Sequence, residues 1–239
     1  HPNTITIFDY GMGPNGEFWY AMEYLEGLSL ADLVERYGPL PPARTAHVLR
    51  QACASLWEAH SCGLVHRDIK PQNIMLCEIR GERDVVKVLD FGLVKQMSGE
   101  QTRDLTSSMR ILGTPLYMSP ERIRHPGDAD ARADIYALGA VGFHLLTGKR
   151  LFETETDHDL TYQVLHVVPP PFAVPAELDA LIGRCVEKNP AARPQNIAEV
   201  ASALDGVLVH LPWTRAQIDA WWNKHWVPED HPERRFRAL

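Results

Sequence analysis

Residues 66–73 read His-Arg-Asp-Ile-Lys-Pro-Gln-Asn, and residues 90–92 read Asp-Phe-Gly. Phosphoryl transfer from a nucleotide needs one carboxylate that orients the attacking hydroxyl and accepts its proton. It also needs oxygen ligands for the metal ions that bridge the phosphates. Asp68 fits the first role, while Asn73 and Asp90 fit the second. Each short motif alone is weak evidence, but their joint occurrence in this order indicates this chemistry.

These motifs resemble those of the protein kinase family, in its Ser/Thr branch. Lys70 supports that branch because a Lys two residues after the catalytic Asp suits a contact to the γ-phosphate. The resemblance implies an α+β, protein-kinase-like fold, mainly the helical C-terminal lobe with the last strands of an incomplete N-terminal lobe. It also implies ATP and Mg²⁺ as cofactors and a protein substrate with a Ser or Thr acceptor. The sequence is more similar to bacterial kinases of the eukaryotic-like type than to animal kinases.

The first glycine-rich stretch, residues 11–16, reads Gly-Met-Gly-Pro-Asn-Gly and matches the pattern G-x-G-x-x-G. In a kinase such a loop covers the nucleotide phosphates and precedes a strand Lys, but the first Lys of this chain is Lys70. The Pro-Asn centre and the strand-like stretches 4–9 and 17–23 favour a hairpin instead. We therefore expect the chain to begin near the fourth strand of the small lobe, without the phosphate-covering loop, the strand Lys and its Glu partner.

The resemblance also implies an adenine site at the connection between the lobes. Met22 is the expected gatekeeper, the backbone groups of Glu23 and Leu25 are expected to bond the adenine, and Met75 is expected beneath the ring. The expected nucleotide-binding set is Met22, Glu23, Leu25, Lys70, Asn73, Met75 and Asp90, with Asn73 and Asp90 as the metal ligands.

The polar stretch between residues 93 and 112 lacks a steady hydrophobic period. It is either a mobile loop or an activation loop whose hydroxyls accept phosphate. Arg67 is the natural cation for such a phosphate, because a guanidinium can bind two phosphate oxygens at once. Thr106 and Ser108 resemble the usual phosphorylation sites, and Ser107 remains a neighbouring alternative.

Residues 113–121, Gly-Thr-Pro-Leu-Tyr-Met-Ser-Pro-Glu, resemble the substrate-docking loop of Ser/Thr kinases. The resemblance implies that Thr114 contacts the catalytic Asp and Lys and favours Ser or Thr acceptors. It also implies a buried ion pair between Glu121 and Arg193, and an Asp134 carboxylate that anchors the backbone of the catalytic loop. His66 is expected to pack in the hydrophobic spine.

The remaining periodicities predict a mainly helical scaffold. We expect a helix between Ser29 and Gly38, a longer helix from Pro41-Pro42 to near Gly63, and a hairpin whose polar surface turn is 80–84. Further helices are expected over 130–146, 178–186 and 197–204. The Trp-rich tail either packs against the core, which we favour, or forms an exposed partner site; residues 229–237 are expected to fray.

Composition and motif content argue against several classes of protein. The 239 residues carry a formal net charge of -7 and four scattered Cys, which argues against nucleic-acid binding, anionic-membrane binding, a zinc site or a disulfide framework. No H-E-x-x-H or G-x-S-x-G motif occurs, and no apolar run is long enough to cross a bilayer. We expect no membrane contact from this segment and a cytoplasmic location; membrane anchoring of the full-length protein downstream of it stays open.

Three regions are expected along the chain. They are an N-lobe remnant with the hinge (1–25), a C-lobe (26–211) and a Trp-rich extension (212–239). Two functional alternatives follow, which are a Ser/Thr protein kinase and a catalytically inactive kinase-like binding or scaffold module. Because the glycine-rich loop and strand Lys are not expected in this segment, we expect residues 1–239 alone to be essentially inactive.

Overall fold

The computed structural model describes residues 1–14, 17–91, 116–125, 127, 129–154, 156–169 and 174–226. Within these ranges the chain forms two small antiparallel sheets and a larger set of helices, two of which lie between the first and second strands of the second sheet, as the α+β prediction requires. The strands are β1 (Ile7–Met12), β2 (Phe18–Met22), β3 (Gly27–Ser29), β4 (Ile74–Ile79) and β5 (Glu82–Val88). The helices are α1 (Leu30–Tyr37), α2 (Pro42–Ser61), α3 (Pro120–Arg124), α4 (Ala131–Thr147), α5 (Asp157–His166), α6 (Ala176–Cys185), α7 (Ile197–His210) and α8 (Arg215–His225).

The first sheet is the hairpin expected around the glycine-rich stretch. β1 and β2 pair antiparallel, and the Gly13 N–H donates to the Glu17 carbonyl at 2.7 Å; residues 15 and 16 lie outside the described ranges. The prediction that β1 starts at Thr4 is wrong. The Ile5 N–H donates to the Val88 carbonyl at 2.9 Å, and the Val88 N–H donates to the Asn3 carbonyl at 2.8 Å. The backbone of residues 3–5 is therefore paired with β5.

The second sheet, in the order β3-β4-β5, carries the chain from the catalytic loop to Asp90. Ile74 lies opposite Val88, and both side chains are buried in the core. β3 pairs antiparallel with β4. The two backbones are so close at Gly27 that a Cβ there would lie 2.3 Å from the Leu76 carbonyl oxygen. The expected hairpin is present, with its base next to the catalytic loop.

One part of that hairpin prediction is wrong: Asp84 does not belong to a polar surface turn. β5 already begins at Glu82, and Asp84 is 1% exposed with a φ of 56°. Its carboxylate accepts hydrogen bonds from Arg44 Nε at 3.0 Å and Arg44 Nη2 at 2.6 Å. It also accepts from the indole N–H groups of Trp213 at 2.7 Å and Trp222 at 2.6 Å. Four N–H donors therefore compensate the burial of this charge.

The helices begin and end close to where capping residues predict. The Ser29 Oγ accepts from the Asp32 N–H at 3.1 Å at the start of α1, and Gly38 follows the helix with a φ of 77°. Asp130 caps α4 in the same way, and Gly148 ends that helix in the left-handed conformation. The predicted buried face of α4 is confirmed, since Leu138, Val141 and Leu145 belong to the core. α6 begins two residues before the predicted start, and α7 continues to His210.

The Trp-rich tail packs against the core, as favoured over an exposed partner site. Ile218 and Trp222 on α8 are 7% and 1% exposed. The Arg44 guanidinium stacks 3.8 Å from the centroid of the Trp221 ring. The residues expected to fray, 229–237, lie outside the described ranges. No helix in the described part is both long and apolar enough to span a bilayer.

We predict that Asp84→Asn lowers the free energy of unfolding by about 3–5 kcal/mol, because it leaves the buried Arg44 guanidinium without a counter-charge. The matched control is Asp205→Asn, which breaks the exposed Arg50–Asp205 pair and should cost about 0–1 kcal/mol. Denaturant unfolding of both variants measures the difference. Equal losses in the two variants would contradict the assigned role of the buried pair.

Candidate active site

The backbone of the catalytic loop is held by a buried carboxylate on α4. Asp134 is 1% exposed. Its Oδ2 accepts from the His66 N–H at 2.8 Å, and its Oδ1 accepts from the Arg67 N–H at 2.9 Å. Arg67 has a φ of 66°, a left-handed conformation that non-glycine residues rarely adopt. The contacts expected for Asp134 are therefore present, and they stabilise a strained backbone directly before Asp68.

Two further side chains support the same loop and were missed from the sequence. His60, in the last turn of α2, donates from Nε2 to Asp134 Oδ2 at 2.9 Å. Arg122 on α3 donates from Nη1 to the Arg67 carbonyl. Neither residue stands in a recognised motif, and each is far from its partner along the chain. Only the fold brings them to the loop.

Asp68, Lys70 and Asn73 meet as the sequence predicts. Lys70 Nζ lies 2.9 Å from Asp68 Oδ2, and the Asn73 amide nitrogen donates to the same oxygen at 3.0 Å. That amide nitrogen also donates to the Asp68 backbone carbonyl at 2.8 Å. Asp68 and Lys70 are 30% and 37% exposed, so a substrate can reach them. The contacts fix the carboxylate while one of its oxygens, Oδ1, has no hydrogen bond to a described residue.

His66 connects the catalytic loop to the strand that precedes Asp90. Its Nε2 donates to the Leu89 carbonyl at 2.7 Å, and its Nδ1 accepts from the Asp68 N–H at 3.2 Å. Both contacts together require the neutral ring with the proton on Nε2. Burial lowers the pKa of His66, although the nearby carboxylates and the Leu89 carbonyl oppose the shift. The ring also packs 4.5 Å from Phe91, which confirms the expected spine contact.

Asp90 lies beside Asn73 because the Leu89 N–H donates to the Asn73 carbonyl at 2.8 Å. It is exposed and has a φ of 54°. The Tyr20 hydroxyl on β2 donates to Asp90 Oδ1 at 3.2 Å. Burial raises the pKa of Tyr20, and Asp90 adds to the rise. Tyr20 is a contact that sequence reasoning missed, since no kinase motif contains it here.

The side-chain oxygen atoms of Asn73 and Asp90 are ligands that suit a hard cation such as Mg²⁺. The Asn73 amide nitrogen is engaged with Asp68, so the Asn73 side-chain oxygen and the Asp90 carboxylate are the groups left to bind a metal. In the described part of the chain, no group of three or more His, Cys, Asp or Glu could hold a metal. Mg²⁺ typically binds through one or two protein carboxylates together with substrate phosphates and waters, and Asn73 and Asp90 offer an amide oxygen and a carboxylate of this kind.

The residues expected around the adenine lie at one end of the two sheets. Met22 ends β2 and is 42% exposed. Glu23 Oε1 pairs with Lys87 Nζ at 2.6 Å, and the Glu23 N–H donates to the Thr6 carbonyl at 3.0 Å. Leu25 lies between β2 and β3, and Met75 on β4 is half-buried. Their roles in adenine binding stay predictions.

A cleft of about 510 Å³ lies beside the residues predicted to be catalytic. Asp68, Lys70 and Asn73 line one side, and Leu116 to Ser119 of the expected docking loop contribute another. Arg193, 2% exposed, binds both carboxylate oxygens of Glu121 at 2.8 and 2.7 Å, which confirms that predicted pair. The predicted residues Thr106, Ser108 and Thr114 lie outside the described ranges.

Comparison with known proteins agrees with this geometry. The protein kinase domain family model matches residues 1–204. The chain belongs to the protein kinase family. It is 37% identical over 215 residues to the serine/threonine-protein kinase pkn3 of Myxococcus xanthus. It is also 37% identical over 219 residues to the serine/threonine-protein kinase PknB of Mycobacterium tuberculosis H37Rv. The predicted similarity to bacterial Ser/Thr kinases is confirmed.

The extent of these matches differs between this chain and its relatives. The two alignments cover 87% and 88% of this chain but 39% and 34% of the relatives, so the chain spans little more than a third of their length. The crystal structure of Rad53 1-466 in complex with AMP-PNP has a TM-score of 0.66 at 24% identity. That match covers 85% of this chain and 50% of that one, and it supports the fold. Trp213 and α8 lie beyond the last residue matched by the family model.

We predict that neutral His66 makes stability depend on pH. The unfolded chain binds a proton at the ordinary imidazole pKa of about 6.5, whereas burial lowers the pKa in the folded state. The unfolded state therefore holds more protons between these two pKa values. The free energy of unfolding should fall as pH drops below about 6.5.

The variant His66→Phe keeps a ring against Phe91 and cannot titrate. The pKa values of His47 and His144 are also lowered by burial, but both residues remain in the variant. Denaturant unfolding of the parent and the variant between pH 7.5 and 5.5 should show a smaller pH dependence in the variant. An unchanged dependence would show that His66 does not remain neutral in the folded protein.

Proposed function

We propose that the complete protein transfers the γ-phosphate of ATP to a Ser or Thr hydroxyl of a protein substrate. The observation that carries this proposal is the arrangement around Asp68, whose carboxylate is fixed by Lys70 and Asn73 and borders an open cleft. Membership of the protein kinase family and similarity to bacterial Ser/Thr kinases support the same reaction.

In this proposal Asp68 orients the acceptor hydroxyl and accepts its proton through the oxygen that Asn73 and Lys70 leave free. Lys70 Nζ, 2.9 Å from Asp68, is close enough to the same site to contact the transferred phosphoryl group and balance its charge. Positioning and charge stabilisation supply most of the catalysis in such a reaction. The rigid loop backbone around His66 and Arg67 is therefore as necessary as the reactive carboxylate.

Asn73 and Asp90 are the residues that would hold Mg²⁺, which when bound neutralises charge on the phosphates. The Tyr20 hydroxyl, bonded to Asp90 Oδ1, restricts the direction in which this carboxylate points. We also propose that Met22, Glu23, Leu25 and Met75 form the adenine site. Thr114 is proposed to favour Ser or Thr acceptors. Because ATP is supplied in the cytoplasm, we propose that this segment acts there.

We predict that Asp68→Asn in the complete natural protein lowers phosphoryl transfer by about 10²–10⁴-fold, while nucleotide binding is largely retained. The reason is that Asp68 acts on the acceptor hydroxyl. Asp90→Asn provides the contrast, since loss of a metal ligand should weaken Mg²⁺-dependent nucleotide binding. Phosphate incorporation and nucleotide affinity are measured for both variants.

The two measurements separate the competing functions. Unaltered transfer in Asp68→Asn would remove the base role, and unaltered Mg²⁺-ATP affinity in Asp90→Asn would remove the metal role. A parent protein that binds partners but transfers no phosphate to any substrate would favour the non-catalytic scaffold alternative.

Regulation by phosphorylation provides a further prediction. Arg67 is exposed and has no ion pair with any described residue, so its guanidinium is available for a phosphate. Replacing Thr106 and Ser108 together by Ala should lower the activity of the complete protein. Mass spectrometry of the active parent should find phosphate between residues 102 and 108. An active parent without phosphate in that window would exclude this mechanism.

A further inference from the structure

The cleft beside Asp68 has a local excess of positive charge in a chain whose net charge is -7. Its basic lining residues are Arg67, Lys70, Arg122 and Arg150, and its acidic ones are Asp68 and Asp134. Both oxygens of Asp134 accept backbone N–H groups and one also accepts from His60, so this carboxylate is already used. Asp68 is paired with Lys70. Within the described part of the cleft, the arginine side chains therefore outnumber the carboxylates, and both carboxylates already have partners.

The three arginines differ in how free their guanidinium groups are. Arg122 is engaged with the Arg67 carbonyl, and Arg67 is the residue expected to meet a phosphate on this same chain. Arg150 is exposed, and its guanidinium has no hydrogen bond or ion pair with a described residue; only its backbone N–H contacts Glu153, at 3.4 Å. Among the described cations of this cleft, Arg150 is therefore one whose guanidinium is available to a substrate, while Arg67 is assigned above to a phosphate.

Arg150 also lies against the expected substrate-docking loop. It is close enough to Tyr117 to influence the hydroxyl: burial raises the pKa of Tyr117 to about 12, and Arg150 opposes that rise. Tyr117 and Arg150 line the same cleft as Asp68. A peptide whose acceptor hydroxyl reaches Asp68 would therefore occupy the cleft that Arg150 also lines.

We propose that Arg150 selects protein substrates that carry an acidic side chain close to the acceptor Ser or Thr. A guanidinium binds a carboxylate through two parallel hydrogen bonds, which fixes direction as well as charge. This inference rests on the proposed function and specifies its substrate class. A phosphate on this chain would satisfy the same chemistry, and the experiment distinguishes that source from the substrate.

The test compares three matched Ser peptides whose flanking residues are acidic, neutral or basic, using the complete protein. The parent should show a kcat/KM higher for the acidic peptide than for the neutral one by roughly two- to fivefold, as expected for one accessible charge pair. Arg150→Glu should abolish or reverse this preference while transfer to the neutral peptide is retained. Lys149→Glu is the matched control, because it makes the same charge change at an adjacent exposed residue that does not line the cleft.

The outcomes separate the inference from the proposed function. A parent with no preference among peptides that it does phosphorylate would overturn the role of Arg150 and leave the kinase proposal intact. Equal shifts in Arg150→Glu and Lys149→Glu would show general charge steering and also overturn it. Arg150→Glu could instead lower kcat/KM equally for all three peptides. If the same substitution has no such effect in protein that lacks phosphate at residues 102–108, Arg150 binds the phosphate on this chain and not the substrate. No transfer to any peptide would overturn both proposals.

Discussion

The carboxylate of Asp134 accepts three hydrogen bonds, two from backbone N–H groups of the catalytic loop and one from His60. The rest of the site depends on this interaction because Arg67 holds a left-handed backbone conformation immediately before Asp68. A residue in such a conformation stays there only where its surroundings compensate the strain. Since α4 is a long buried helix, it supplies a rigid support for a loop whose regular structure is one 3-10 turn, Pro71–Asn73.

A second set of hydrogen bonds connects this loop to the residue before Asp90. His66 accepts from the Asp68 N–H and donates to the Leu89 carbonyl, while the Leu89 N–H donates to the Asn73 carbonyl. A displacement of the loop would therefore disturb the residue before Asp90 through two hydrogen bonds. The proposed base and the proposed metal ligands are parts of one hydrogen-bonded unit, even though they belong to separate motifs.

The sequence predicted the parts of this site that are close along the chain. Asp68, Lys70 and Asn73 lie within a few positions of one another, so their meeting needs only a tight loop. The contacts that sequence reasoning missed join residues that are far apart along the chain: 55 positions for Arg122 with Arg67, 70 for Tyr20 with Asp90 and 74 for His60 with Asp134. Asp84 was placed at the surface because its neighbours are polar. Its donors Trp213 and Trp222 stand 129 and 138 positions away, and no local pattern reveals them.

The burial of Asp84 restricts which amino-acid substitutions the chain tolerates around it. Trp213 and Trp222 donate hydrogen bonds to the Asp84 carboxylate. That carboxylate is also paired with Arg44 of α2. Loss of either indole would leave a buried carboxylate short of a donor, and loss of the carboxylate would leave a buried guanidinium unpaired. The two indoles and the two charged side chains therefore depend on one another, and we expect them to be retained or lost together. Relatives that lack the Trp-bearing extension should carry apolar or solvent-exposed residues where this chain has Arg44 and Asp84.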